Sequence, residues 1–201
     1  SGSSSRPKGV VIPHDRHRWV VRRGAGAVAN GQKGFRSPVI LLAAPLFHMN
    51  GLSNAEISCL SHFTMVLLPT FDAKVFLRSI ETYRVTSIVA VPAMLAMALR
   101  ERPLVDQLDL SSVKNIRMGS APLTLETLSA VRARFPNARD QIFNGYGLTE
   151  AGPALFGPHP KGLIRPDLSV GYPRLGIQYR IVDGVLQVKS PGMHTEYFRD
   201  L

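Results

Sequence analysis

The sequence predicts an α/β protein: a mainly parallel sheet flanked by helices, followed by a small antiparallel β element. Three observations carry this reading. From residue 37 onward, apolar runs that stop at proline or glycine alternate with stretches of helical periodicity. The runs are continuous rather than alternating, as in strands covered on both faces. Beyond Gly171 the period becomes two on either side of Asp183-Gly184, the pattern of a hairpin.

The elements follow in chain order. Val39 to Ala44 is a near-continuous apolar strand ended by Pro45, and Met65 to Leu68 is a second, ended by Pro69. Asp72 is placed to cap a helix from Ala73 to Arg84, with Phe76, Ile80 and Tyr83 on one stripe. Ile88 to Val91 is the next strand, and Pro92 suits the first turn of a helix running through Leu99. Asn115 to Met118 is a short strand leading into Gly119. Thr124 caps a helix with Leu128, Val131 and Phe135 inward, and Gln141 to Phe143 is another strand. Alternation of this kind implies a parallel sheet with helices on its faces. Gln178 to Val182 and Val185 to Lys189 form the terminal hairpin, with one face wet.

With 201 residues, 45% hydrophobic and 19% charged, the chain can bury a sizeable core and is not a disordered segment. The single cysteine, Cys59, excludes an internal disulfide framework and suits a reducing, cytoplasmic setting. The longest apolar run, Val85 to Leu99, is interrupted by Pro92 and too short to span a bilayer. No secretory signal is visible, and the absence of an initiator methionine leads to the expectation of a longer parent protein. The formal net charge is +10, but its densest cluster, Arg16, Arg18, Arg22 and Arg23, has only Trp19 beside it as an aromatic. A solvated basic face or attraction to a polyphosphate explains this better than nucleic-acid binding.

Ligands of such sheets bind beyond the carboxyl ends of the strands, so the segments there carry the functional reading. In NGYGLTE, Gly145 and Gly147 permit close approach, and Tyr146 offers a purine an aromatic face. Asn144 suits an exocyclic amine, Thr149 a phosphate oxygen, and Glu150 supplies a hard ligand for magnesium. GSAP at Gly119–Pro122 is a weak signal alone. His48, in the turn PLFHMNGL past a strand end, is placed to face substrate. His14, His62, His159 and His194 share no metal-ligand spacing with one another or with Cys59. The opening SGSSSRPKGV departs from the Walker template, which needs glycine where Pro7 stands and a hydroxyl where Gly9 stands.

Taken together, SGSSSRPKGV, PLFHMNGL, GSAPL, YGLTEAGP and SVGYPRLGIQYRIVD resemble the successive motifs of the adenylate-forming superfamily. That superfamily comprises acyl-CoA synthetases, peptide-synthetase adenylation domains and beetle luciferases. The resemblance spans essentially the whole chain and implies a carboxylate that attacks the α-phosphorus of ATP with magnesium present, then transfer of the acyl group to coenzyme A. It implies that Ser1, Gly2, Ser3, Ser4 and Lys8 wrap the β- and γ-phosphates, that Glu150 holds magnesium and that Thr149 contacts phosphate. It further implies that Tyr146 stacks on adenine of ATP or AMP while Asn144 bonds its amine. Gly119, Ser120, Ala121 and Pro122 would line the opposite side, with Gly145 and Gly147 at the near side. His48, Met49, Val91, Pro92 and Gly145 would border a pocket for a fatty, branched or aryl acid. A carrier-protein-loading adenylation domain and a noncatalytic nucleotide-binding module are the alternatives. No acidic residue that would hold an amino-acid ammonium stands near His48-Met49-Asn50.

Two departures from the family pattern stand out: Ser5 replaces the usual glycine, and the hairpin turn after Asp183 is short. The resemblance divides the chain into a phosphate loop and amino-terminal segment (1–36), an α/β nucleotide- and acyl-binding subdomain (37–168) and the start of a β-rich element (169–201). By the same pattern a ribose-binding aspartate, a hinge and a lysine-bearing carboxyl-terminal domain would lie beyond Leu201, and the chain alone would have little ligase activity.

Overall fold

Five short strands rich in valine, isoleucine and leucine form the central sheet: β2 (Val39–Leu42), β3 (Thr64–Leu67), β4 (Ser87–Ala90), β5 (Asn115–Met118) and β6 (Ile142–Asn144). A computed structural model describes residues 8–31, 38–159 and 161–198. The sheet is parallel throughout, in the order β3-β2-β4-β5-β6. Successive side chains point to opposite faces, and both faces are covered. Leu41, Ile88, Ala90, Ile116 and Met118 pack under α3 (Ala73–Thr82), α4 (Pro92–Arg100), α5 (Arg102–Gln107) and α6 (Leu125–Arg134). Ile40, Leu42, Ala44 and Val89 face the other way, toward α2 (Met49–Leu60). An amino-terminal helix, α1 (His14–Gly31), lies on α2, with His17 Nε2 2.8 Å from a carboxylate oxygen of Glu56.

Local chemistry sets the helix ends. Asp72 caps α3 by accepting from the amides of Lys74 and Val75 at 2.9 and 2.8 Å. Thr124 does the same for α6, from the amide of Thr127 at 3.1 Å. Leu128, Val131 and Phe135 are buried, as their spacing predicts. On α3 the buried stripe is Phe76, Leu77 and Ile80; Tyr83 lies past the helix end and is 55% exposed, contrary to expectation. Tyr83 is the C-cap residue, with φ −100° and ψ 5°, so it leaves the helical turn that aligns Phe76, Leu77 and Ile80.

The remaining strands form three small sheets. β7 (Tyr146–Leu148), β8 (Gly152–Gly157) and β9 (Tyr172–Pro173) pair antiparallel, around Ala151, Leu155 and Phe156. NGYGLTE is therefore partly strand rather than a loop throughout, and this sheet draws strands from both sides of residue 168. β10 (Gln178–Val182) and β11 (Val185–Lys189) form the expected hairpin, turning at Asp183 and Gly184 with φ 50° and 75°. Every residue of β10 is exposed, and Val188 alone is half-buried on β11. The side bearing Tyr179 and Val188 is partly covered, since the Tyr179 ring meets Phe156 of β8 edge-on at 5.5 Å and Val188 packs against the cluster of Ala151, Leu155 and Phe156. β1 (Gly9–Val11) pairs antiparallel with β12 (Glu196–Phe198). Among the described residues no helix is long and apolar enough to cross a membrane.

Candidate functional site

Four of the five parallel strands deliver predicted site residues at their carboxyl ends. Beyond β2 the chain turns at Pro45 and enters α2, whose N-cap is His48. PLFHMNGL is thus a turn plus the first helical residues, since Asn50 and Gly51 already belong to α2. His48 is exposed, its ring 4.7 Å from that of Phe47, and makes no side-chain cap bond. Met49 begins the helix, and its sulfur accepts the Ser53 hydroxyl at 3.3 Å. Beyond β4, Val91 is the N-cap of α4, and Pro92 is buried at its first position.

Beyond β5 and β6 the two glycine turns meet. The Gly145 amide donates to the Met118 carbonyl at 2.8 Å, and a Cβ on Gly119 would stand 3.2 Å from the Gly145 oxygen. A side chain here would need the Gly145 carbonyl to give by a few tenths of an ångström. Ser120 has φ 65°, and with Ala121 and Pro122 it is exposed at the rim. Its hydroxyl accepts from Asn50 Nδ2 at 3.4 Å, which links the β2 and β5 segments. Asn144 is buried, and its Oδ1 has no hydrogen-bond partner among the described residues. Tyr146 is half-buried, edge-on to Phe156 at 6.0 Å. Gly147 lies so near the Pro153 carbonyl that any side chain would overlap it. Thr149 and Glu150 follow β7 in a turn closed by the Ala151 amide on the Leu148 carbonyl at 3.2 Å.

The second cluster joins chain ends. Lys8 immediately precedes β1, and its ammonium lies 5.0 Å from the ring centroid of Tyr197 on β12. The Tyr197 hydroxyl donates to Glu150 Oε1 at 3.4 Å. The backbone amide of His194 donates to the Glu150 carbonyl at 2.7 Å, and its ring Nδ1 lies 3.0 Å from the same oxygen. Arg16 on α1 holds this segment, donating to the carbonyls of Met193 and His194 at 2.7 and 3.2 Å. Lys8 and Glu150 therefore flank one phenol. Ser1, Gly2, Ser3 and Ser4 lie outside the described residues. Tyr197 and His194 escaped the sequence reading as site residues. The available signal was the three-residue EYF run, too short to register as a strand.

Arg117, Arg174 and Arg23 lie within electrostatic reach of one another. Burial pulls the Arg117 guanidinium of β5 down to about 10, with repulsion from Arg174 adding to it. Arg174 is lowered by burial, then by Arg23. Among the described residues no three histidine, cysteine, aspartate or glutamate side chains gather as a protein-built metal cage. Glu150, which shares the Tyr197 phenol with Lys8, instead fits magnesium brought with phosphate, which keeps waters and takes one or two protein oxygens.

A parallel sheet with appended antiparallel strands, arranged in this way, is the fold of the amino-terminal domain of adenylate-forming enzymes. O-succinylbenzoate coenzyme A synthetase of Bacillus subtilis, solved with ATP and magnesium ion, superposes at TM-score 0.77 with 30% identity, over 98% of this chain and 41% of its own. The luciferase-like enzyme of the mealworm Zophobas morio gives TM-score 0.83 at 25% identity, over 100% of this chain and 48% of its own. The chain belongs to the AMP-binding enzyme family, whose model matches residues 1–196. Among curated relatives, 4-coumarate–CoA ligase 1 of Petroselinum crispum is 38% identical over 160 residues, and ligase 2 of Oryza sativa subsp. japonica is 39% identical over 160. These alignments cover 77% of this chain and only 28% and 27% of the relatives, so the chain spans about a quarter of their length.

Proposed function

We propose that this chain forms the nucleotide- and acyl-binding portion of an ATP-dependent acid–CoA ligase. A carboxylate oxygen bonds to the α-phosphorus of ATP as the bond to pyrophosphate breaks. The thiolate sulfur of coenzyme A then bonds to the acyl carbon and AMP leaves. Both steps bring anions together, so the protein must neutralise phosphate charge and fix an in-line approach. The meeting of Lys8 and Glu150 on Tyr197 is the observation that carries this reading.

Lys8, with Ser1, Gly2, Ser3 and Ser4, takes the β- and γ-phosphates, and Thr149 takes a phosphate oxygen. Glu150 would hold magnesium, which when bound offsets phosphate charge. Asn144 directs its Oδ1, unpartnered among the described residues, to the adenine amine, which would satisfy this buried acceptor. Tyr146 gives the base a ring face, and Gly119–Pro122 flank it. His48, Met49, Val91, Pro92 and Gly145 border the acyl pocket. This rim is mostly apolar, and the relatives named for 4-coumarate and o-succinylbenzoate act on aryl acids, so an aryl or other apolar carboxylic acid is the substrate class. Residues 37–168 are the nucleotide- and acyl-binding subdomain, and 169–201 begin the β-rich element. The single exposed thiol, Cys59, suits a reducing cytoplasm.

The test is magnesium-dependent pyrophosphate release by the full-length protein across a panel of aryl and fatty acids, followed by thioester formation with coenzyme A. Lys8→Ala and Glu150→Ala should each lower adenylate formation by about 100-fold or more. Full turnover in both variants would refute the site, and aminoacyl transfer to a carrier without coenzyme A would replace the acceptor.

A further inference from the structure

The structure assigns Arg165 as the residue that holds the end of β6 in place for adenine, a positioning role that rests on the Asn144 contact proposed above. β6 lies at the edge of the parallel sheet: among the described residues only β5 pairs with it, with Asn144 opposite Met118. The outer side of an edge strand carries backbone groups that no neighbouring strand meets. Arg165 supplies donors there. It donates from Nη2 to the Ile142 carbonyl at 2.8 Å and from Nη1 to the Asn144 carbonyl at 3.4 Å. Carbonyls two residues apart stand about 6.6 Å apart on one side of a strand, a span that suits a planar fork. The guanidinium carbon also lies 5.3 Å from the ring centroid of Phe143, the residue between them. The arginine is itself anchored. Its Nη1 donates to the Ser169 carbonyl at 2.7 Å, and Asp167 takes two contacts from Arg132 of α6 at 2.8 and 2.6 Å.

The consequence falls on the two residues that meet the base. Arg165 grips Asn144 from the outer edge, while the Gly145 amide grips the Met118 carbonyl on the inner one at 2.8 Å. With its backbone held on both edges, Asn144 directs its carboxamide one way, toward the purine amine. Less ordering then remains when the nucleotide binds.

The experiment titrates the full-length protein by calorimetry with ATP and with purine riboside triphosphate, which lacks only the 6-amino group. The parent should bind ATP about tenfold more tightly than the analogue. Arg165→Met removes every donor and leaves the edge carbonyls to water. It should lower ATP affinity by about three- to tenfold and keep the analogue's affinity within about twofold, so the preference for the amine shrinks. Arg165→Lys keeps the charge, but one ammonium cannot bond two carbonyls about 6.6 Å apart. It should hold the melting temperature and still lose about threefold of the preference. A purely structural arginine would weaken both nucleotides together and lower the melting temperature with the preference intact. An unchanged preference in Arg165→Lys overturns the assignment, even where Arg165→Met fails to fold. Asn144→Leu separates the two levels. If it abolishes the preference while Arg165→Lys preserves it, this inference alone fails. If Asn144→Leu keeps the preference, or the parent shows none, the adenine reading of Asn144 fails as well.

Discussion

Asn144 carries a carboxamide into the interior at the end of β6 and leaves its oxygen without a partner among the described residues. A buried acceptor in that state costs stability, and a ligand that donates to it would offset that cost. Asn144→Leu has similar volume and no polar atoms. Its unfolding midpoint in urea should match or exceed that of the parent, while ATP affinity falls by about tenfold. A large loss of stability with affinity retained would show the carboxamide to be structural. Arg165 is nearby but already occupied: it donates to the carbonyls of Ile142 and Ser169 at 2.8 and 2.7 Å.

Among the elements, α3 separates two contributions to stability. Its cap is an exposed side chain on two amides, and its buried face holds Phe76 among the largest fully enclosed residues. Asp72→Ala should therefore cost about 1 kcal/mol and Phe76→Ala about 3–5 kcal/mol, both read from urea unfolding of the chain. Equal effects would mean that the end of α3, rather than its packing, secures the helix. The same contrast explains what the sequence made legible. Buried strands appear as continuous apolar runs punctuated by Pro45, Pro69, Pro92 and Gly119, and all of them were located to within a few residues. Helix α2 was not, because part of its inward face is Ser53 and Ser58, 0% and 1% exposed. The Ser58 hydroxyl donates to the Asn54 carbonyl at 2.7 Å, so a polar residue is satisfied within its own helix and the hydrophobic period is blurred. Helix α1 is masked likewise by its run of arginines. At the site, residues adjacent in a motif were legible, whereas Tyr197 depends on a strand pairing across nearly the whole chain.

For the molecule as a whole, acid stability should follow the exposed carboxylates that pin its periphery. Hydrogen bonding from Arg132 holds the Asp167 carboxyl below its ordinary 3.8, through contacts of 2.8 and 2.6 Å that tie the segment before β9 to α6. The hydroxyl and amide of Ser111, together with Arg84, hold Asp109 lower still. A depressed folded value means that the unfolded chain binds the proton more readily. The contribution is therefore complete above the ordinary value and disappears as pH falls through the folded one. Asp167→Asn should lower the neutral-pH melting temperature, only slightly because both partners are solvent-exposed, and should flatten its decline below about pH 4 by the same small amount. An unaltered acid limb would assign it to other groups.

The pairing of Gly9 with Phe198 also has a temporal side. The parallel sheet can be completed once residue 144 has been synthesised, but β12, the strand that brings Tyr197 to Lys8 and Glu150, is made only after it. Contacts closing so long a loop form late. A growing polypeptide therefore acquires its hydrophobic centre well before Lys8 and Glu150 meet at one phenol, and a chain halted between the two stages would be folded in its middle without that corner.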